Sequence, residues 1–179
     1  MVIGIIGADD RAVAIGRLLK TCGHEISFSD PIDQSRAEKA RDAHGSATVC
    51  TTYDQAATCE AIVMAVHWED LDKTLAALGS YKKGVVIDAT RPPKLEGSDN
   101  GAQLLEKKLD NRHVVKAFVE EPVPRAEVRV ASDDPNARMM VCEMIDSCGG
   151  KAVDMGPLSA ATEMEASYAN DVSTTRGAT

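Results

Sequence analysis

The chain has 179 residues, 44% hydrophobic and 27% charged, a balance that excludes a disordered polymer and suits one globular domain with a proper core. Lys plus Arg is 20 and Asp plus Glu is 28, a net charge of −8, which argues against nucleic acid or an anionic membrane surface as partner. No apolar run is long enough to span a bilayer. The apolar opening (residues 1–8) meets Asp9 and Asp10 without any basic lead, so it reads as a buried strand rather than a secretory signal, and a cytoplasmic protein is expected.

Five cysteines, Cys22, Cys50, Cys59, Cys142 and Cys148, include no Cys-x-x-Cys pair, and reduced, buried thiols are expected. The four histidines form no H-x-x-x-H pair, so no metal site is expected. Aromatics are only 3%, which leaves Val, Ile, Leu, Ala and Met to build the core.

In chain order, residues 2–6 (VIGII) read as a fully buried strand of the kind found in parallel sheets. Residues 10–22 carry apolar side chains at helical spacing, with Gly23 as a stop. Strand 25–29 follows. Asp30-Pro31 then predicts a helix to about Ala43, with Asp30 as N-cap and Pro31 at the first helical position. Ala47–Cys50 reads as a strand, Tyr53–Thr58 as a short helix, Ala61–Val66 as a strong strand, and Asp70–Leu78 as a helix. Gly84–Asp88 is the fifth strand. Two prolines and two glycines make 91–100 a loop. A helix at Ala102–Leu109, a strand at His113–Phe118, and a final β-α-β unit (Glu127–Ala131, Asn136–Cys148, Lys151–Asp154) complete the series. A further helix begins after Ser159, and 173–179 read as a flexible tail.

Strands and helices alternate, which predicts an α/β fold: a Rossmann-type, doubly wound, mainly parallel sheet with helices on both faces. Residues 1–172 are expected to form a single domain of this kind. Ligands of such sheets lie beyond the carboxyl ends of the strands, where strand order reverses. That rule singles out the residues just after Ile6, Phe28, Val66, Asp88 and Ala117.

The first turn reads Gly7-Ala8-Asp9-Asp10-Arg11-Ala12. Against G-x-G-x-x-G/A, Gly7 allows the tight turn and Ala12 lets the helix pack closely, but Asp9 falls on the second glycine, which lets backbone approach a pyrophosphate. Two unit charges about 4 Å apart, at an effective dielectric of about 20, repel by about 4 kcal/mol, roughly a thousandfold in affinity if nothing offsets it. Arg11 and Arg91 are the candidate offsets. The plainer role for Asp9 is to cap the helix that follows.

Asp30 stands about 20 residues beyond the loop, where an acid binds the ribose 2′-hydroxyl and favours NAD. Ser35, Arg36 and Lys39 would instead supply a phosphate pocket if the helix starts late. His67, beyond the fourth strand, is the candidate proton donor, against the plainer reading of a solvent-facing histidine. Arg91 suits a planar phosphate or carboxylate.

Taken together, several segments resemble the family of coenzyme F420 (deazaflavin)-dependent NADP oxidoreductases. GIIGADDRAVAIGRLLKTCGHEI resembles its opening, and IVMAVHWEDLDKTLAAL its fourth strand and next helix. VVIDATRPP is similar to its D-A-T-N-P loop, HVVKAFVEEP to its V-V-K-A-F-N segment, and VASDDPNARMMVCEMIDSCGGKAVDMGPL to its last β-α-β unit. The resemblance covers nearly the whole chain. The departures gather at the ligand end: Asp9 in the glycine loop, His67 where proline is common, and Arg91 and Val119 where the family carries asparagines.

The resemblance implies an oxidoreductase that passes hydride between a nicotinamide dinucleotide, NADP or NAD, and a second redox partner or small substrate, a deazaflavin coenzyme being one candidate. The glycine loop and the strand-end rule together give expected cofactor contacts from Gly7, Ala8, Asp9, Asp10, Arg11, Asp30, Arg36, Val66, Thr90, Arg91 and Ala117, with Thr90 and Ala117 approaching the nicotinamide through backbone groups, and His67, which is not the family's usual residue there, as the catalytic candidate. Direct hydride transfer leaves the protein mainly the task of positioning. The family often pairs, and Pro157–Tyr168 offers an extra helix for a homodimer. The alternative is a non-catalytic binding module whose dinucleotide binding is weakened or lost because of Asp9.

Overall fold

The computed structural model describes residues 1–30, 32–49, 59–79, 81, 84–111, 113–123, 125–166 and 168. Its elements are β1 (Val2–Ile6), α1 (Asp10–Thr21), β2 (Glu25–Ser29), α2 (Gln34–His44), β3 (Thr48–Val49), β4 (Ala61–Met64), α3 (Leu71–Leu78), β5 (Val85–Asp88), α4 (Gly101–Leu109), β6 (Val114–Lys116), β7 (Glu127–Ala131), α5 (Pro135–Ser147) and β8 (Lys151–Gly156). Short 3-10 turns at Trp68–Asp70 and Leu158–Ala160 lead into α3 and into a C-terminal helical turn over 161–166.

The strands form one sheet in the order β3-β2-β1-β4-β5-β6-β7-β8. β1 to β6 are all parallel to their neighbours, β7 runs antiparallel to β6, and β8 is again parallel to β7. The sheet is therefore the mainly parallel α/β arrangement that the alternating pattern predicts. Strand order reverses at β1, between β2 and β4, which opens a crevice at that point.

The two faces follow the period-2 alternation of strand side chains. Ile3, Ile5, Val63, Ile87 and Val115 point to one face and pack with α1, α2 and α5. Ile6, Ile62, Met64, Val86 and Val114 point to the other, under Leu71 and Leu78 of α3 and Leu105 and Leu109 of α4. A third cluster, including Ala102, Val119, Ala131, Leu158 and Met164, fastens the C-terminal segment.

Three expectations are corrected. Asp30 does not cap α2: the helix starts at Gln34, and Asp33 is its N-cap, accepting the Ser35 amide. Asp30 instead folds its own loop, accepting the amides of Ile32 (3.0 Å) and Asp33 (3.1 Å). The strands predicted at 61–66 and 113–118 are shorter, because Ala65, Val66, Ala117 and Phe118 already turn into the crevice loops. The thiols are not all reduced: α1 and α5 end side by side, and Cys22 and Cys148, 126 residues apart, form a disulfide with a Cα–Cα distance of 4.9 Å. Cys59 and Cys142 are outside any disulfide. The helix expected at Tyr53–Thr58 and the tail at 173–179 lie outside the described residues. Among the described residues no helix is long and apolar enough to cross a membrane.

Candidate functional site

Gly7 leaves β1 with φ of 118°, a conformation open to glycine and strained for other residues. A Cβ there would lie 2.3 Å from the Ala65 carbonyl oxygen, so the loops after β1 and β4 touch backbone to backbone. The Gly7 amide donates to Ser29 O (2.9 Å) at the end of β2. Gly7 thus stitches the three central strands together at the crevice floor.

Asp9 turns back onto α1. Its Oδ1 accepts the Ala12 amide at 2.8 Å, and its Oδ2 lies 3.8 Å from Arg11. It is the N-cap, so it takes one of the amides that a phosphate at this helix end would use. Ala8 is half-buried beside it and Asp10, the first residue of α1, is exposed.

At the end of β2 the second Asp30 oxygen lies 3.3 Å from Arg36 Nε. The crevice above is lined by Gly7, Asp9, Asp30, Arg36, Val66 and His67, among others. Six of the residues named from the sequence are therefore together. His67 is exposed at its mouth and makes no cap bond to the turn it precedes.

Thr90, Arg91 and Ala117 lie on the other half, beyond β5 and β6. Arg11 reaches across to them. Its buried guanidinium donates to the carbonyls of Ala89 and Phe118, joining the N-terminus of α1 to both loops. Burial first, then the neighbouring Arg91 charge, lowers the pKa of Arg11 below the usual guanidinium value, while Asp9 and Asp88 pull it back. Phe118 has φ of 56°, a strained setting for a bulky residue and of the kind concentrated at ligand sites. Arg91 bonds the Val119 carbonyl and stacks 4.2 Å over the Tyr168 ring. The Thr90 hydroxyl and amide both donate to Asp88 Oδ1, at 2.7 and 2.8 Å. Thr90 therefore serves the scaffold through its side chain.

A buried charge cluster supports these loops. Lys116 Nζ lies 2.9 Å from Asp88 Oδ2, 2.8 Å from Thr90 O and 3.0 Å from Glu165 Oε1. The other Glu165 oxygen accepts the Gly101 amide at 2.9 Å. One cation is thus held by two acids from β5 and the C-terminal helical turn. Sequence reasoning missed Lys116, Asp88 and Glu165. The available signal was a residue of opposite charge at the end of each of two neighbouring apolar strands, VVID and VVK.

These residues fit one half of a phosphorylated dinucleotide better than the other. Gly7 gives close backbone approach, and Arg36 supplies a cation at the β2 end, where a 2′-phosphate would lie. Asp30 is engaged by its loop amides and Arg36, which leaves it poorly placed for a ribose hydroxyl. On the opposite side Arg11 crosses the crevice, and Asp9 holds the helix amide.

The fold and crevice define a Rossmann-like domain of the NAD(P)-binding type. The chain belongs to the family described as NADP oxidoreductase, coenzyme F420-dependent, whose profile matches residues 2–92. It is similar in structure to a hypothetical protein from Sinorhizobium meliloti (TM-score 0.75, 18% identity, 89% of this chain and 87% of that one). It is also similar to a protein from Arthrobacter sp. assigned as an F420-dependent NADP-reductase (TM-score 0.75, 18% identity, 91% and 88%). A reductive aminase from Aspergillus terreus, solved with NADPH and ethyl-5-oxohexanoate, matches at TM-score 0.71 and 15% identity, over 95% of this chain and 60% of that one.

Proposed function

We propose that the chain is an NADP(H)-dependent oxidoreductase that passes hydride between the nicotinamide dinucleotide and a second redox partner or small substrate, a deazaflavin coenzyme being the partner suggested by its family. The observation that carries this reading is Arg36 at the β2 end of the switch-point crevice, beside an Asp30 already committed to its own loop. That pairing favours a 2′-phosphate and disfavours the NAD preference implied by an acid in this place. Gly7, Ala8, Asp10, Val66 and Arg36 would hold the adenosine and phosphate half. The backbone near Thr90 and Ala117, with Arg11 and Arg91, would line the nicotinamide half.

When bound, the nicotinamide supplies or accepts the hydride. The chain's own work is to orient the two rings and exclude water. His67, at the mouth, would give or take a proton where the substrate is not itself a redox coenzyme. Fluorescence titration with NADPH and NADH tests the reading. Saturable binding of NADPH, tighter than NADH, is expected; no binding of either at millimolar concentration would sink it.

A second reading, a binding module without dinucleotide chemistry, is favoured by the Asp9 cap and by Arg11 spanning the crevice. It predicts no thermal stabilisation by any nicotinamide dinucleotide, and none restored by Asp9→Gly.

A further inference from the structure

The helix ends remote from the glycine loop carry a second cluster of reactive side chains. Cys22 is the C-cap of α1 and Cys148 the C-cap of α5. Their sulfurs and a ring nitrogen of His24 all lie within 4.8 Å of one another. Nδ1 of His24 is buried and has no hydrogen-bond partner among the described residues. A buried, unpartnered imidazole nitrogen costs free energy unless something binds it.

We propose that reduction of the Cys22–Cys148 disulfide opens a Cys2His site for a thiophilic divalent cation, with Zn²⁺ as the natural occupant. Two thiolates and one neutral imidazole form a donor set that zinc favours, and they leave a fourth position for water. Zinc–sulfur bonds of about 2.3 Å and zinc–nitrogen bonds of about 2.0 Å at tetrahedral angles put ligand atoms about 3.5–3.8 Å apart. That spacing lies inside the observed limit, so the two sulfurs need only rotate away from each other about their own side-chain bonds.

Two helix ends and Glu60 favour a cation here, against the opposing charge of the N-terminal ammonium near His24. The C-termini of α1 and α5 both end here, and each carries a partial negative charge of roughly half an electron. Gly23 and Gly149, immediately after the two cysteines, face open space, with nothing within 4 Å of where a Cβ would stand. That opening gives water or a fourth ligand access.

The chemistry balances in two steps. A phosphine reductant takes oxygen from water and becomes phosphine oxide, and the disulfide gains two electrons and two protons to give two thiols. The cation then displaces those two protons and binds both thiolates and the imidazole. Disulfide and metal complex are alternative states of the same three residues.

The experiment uses the full chain and Co²⁺ as the spectroscopic probe. After phosphine reduction, one equivalent of Co²⁺ is expected to give thiolate-to-metal absorption in the near ultraviolet with tetrahedral bands in the visible, and Zn²⁺ should bleach both. The oxidised protein, folded and identical in sequence, is expected to give neither. Cys148→Ser should abolish the bands, His24→Gln should weaken Co²⁺ binding at least tenfold, and Cys142→Ser should leave it unchanged. Absence of the bands in the reduced wild-type chain would overturn the proposal, as would bands that survive Cys148→Ser or ignore His24→Gln. None of these readouts depends on nucleotide binding.

Discussion

Lys116 and Asp88 stand opposite one another in adjacent parallel strands, with their charged ends 2.9 Å apart and both side chains fully buried. Removing one partner leaves an uncompensated charge in the core. Lys116→Met is therefore expected to destabilise the fold by about 3–5 kcal/mol, read as a lower urea midpoint. Because Lys116 also binds Thr90 O and faces Glu165, the loss should free the C-terminal helical turn before the sheet. Faster hydrogen exchange at the Gly101 amide, which Glu165 accepts, checks that order.

Asp9 separates the two functional readings. Asp9→Gly removes a carboxylate from the proposed seat of the pyrophosphate, at a capping cost of only a few tenths of a kcal/mol. NADPH affinity is expected to rise tenfold or more, with most of the change at low ionic strength. An unchanged Kd in calorimetry would show that the carboxylate does not face the phosphate.

Arg36 tests cofactor choice. Arg36→Gln removes a charge-assisted contact, expected to weaken NADPH binding by about 10- to 100-fold and to leave NADH within about twofold. Equal losses for both would point to a structural role through Asp30.

Tyr81 gives the chain a signature at high pH. Its hydroxyl is buried and donates to Cys59 O at 2.9 Å, and burial, with Cys59 nearby, pushes its pKa up to about 12. The folded state thus keeps a proton that the unfolded chain releases near pH 10. Stability from this group is full below about pH 10 and is lost as pH rises from there to about 12. A spectroscopic titration should show one late tyrosinate phase, absent in Tyr81→Phe, which is expected to cost about 1 kcal/mol at pH 7 by orphaning the Cys59 carbonyl.

Most of the sheet was legible because its strands are continuous β-branched runs, VIGII, AIVM and VVID, bounded by glycine, proline or charge. The crevice was legible for the same reason: strand ends and a switch point follow from the βαβ alternation. The start of α2 was not, because Asp30, Pro31 and Asp33 offer competing caps within four residues. The contact that decides it, Asp30 with Arg36 and the loop amides, exists only once the loop has folded. In the sequence Lys116 stands as a lone charge in an apolar strand, and its pairing with Asp88 follows only from the β5–β6 register. The nearness of Cys22 to Cys148 depends on where two helices end, which no local spacing encodes.

The same disulfide ties the chain into a covalent ring that encloses everything between residues 22 and 148, including the loops after β2, β4, β5 and β6. A protease that cuts one peptide bond in any of those loops therefore leaves one molecule. Its two pieces should migrate together through a denaturing gel and part only when a reductant is added.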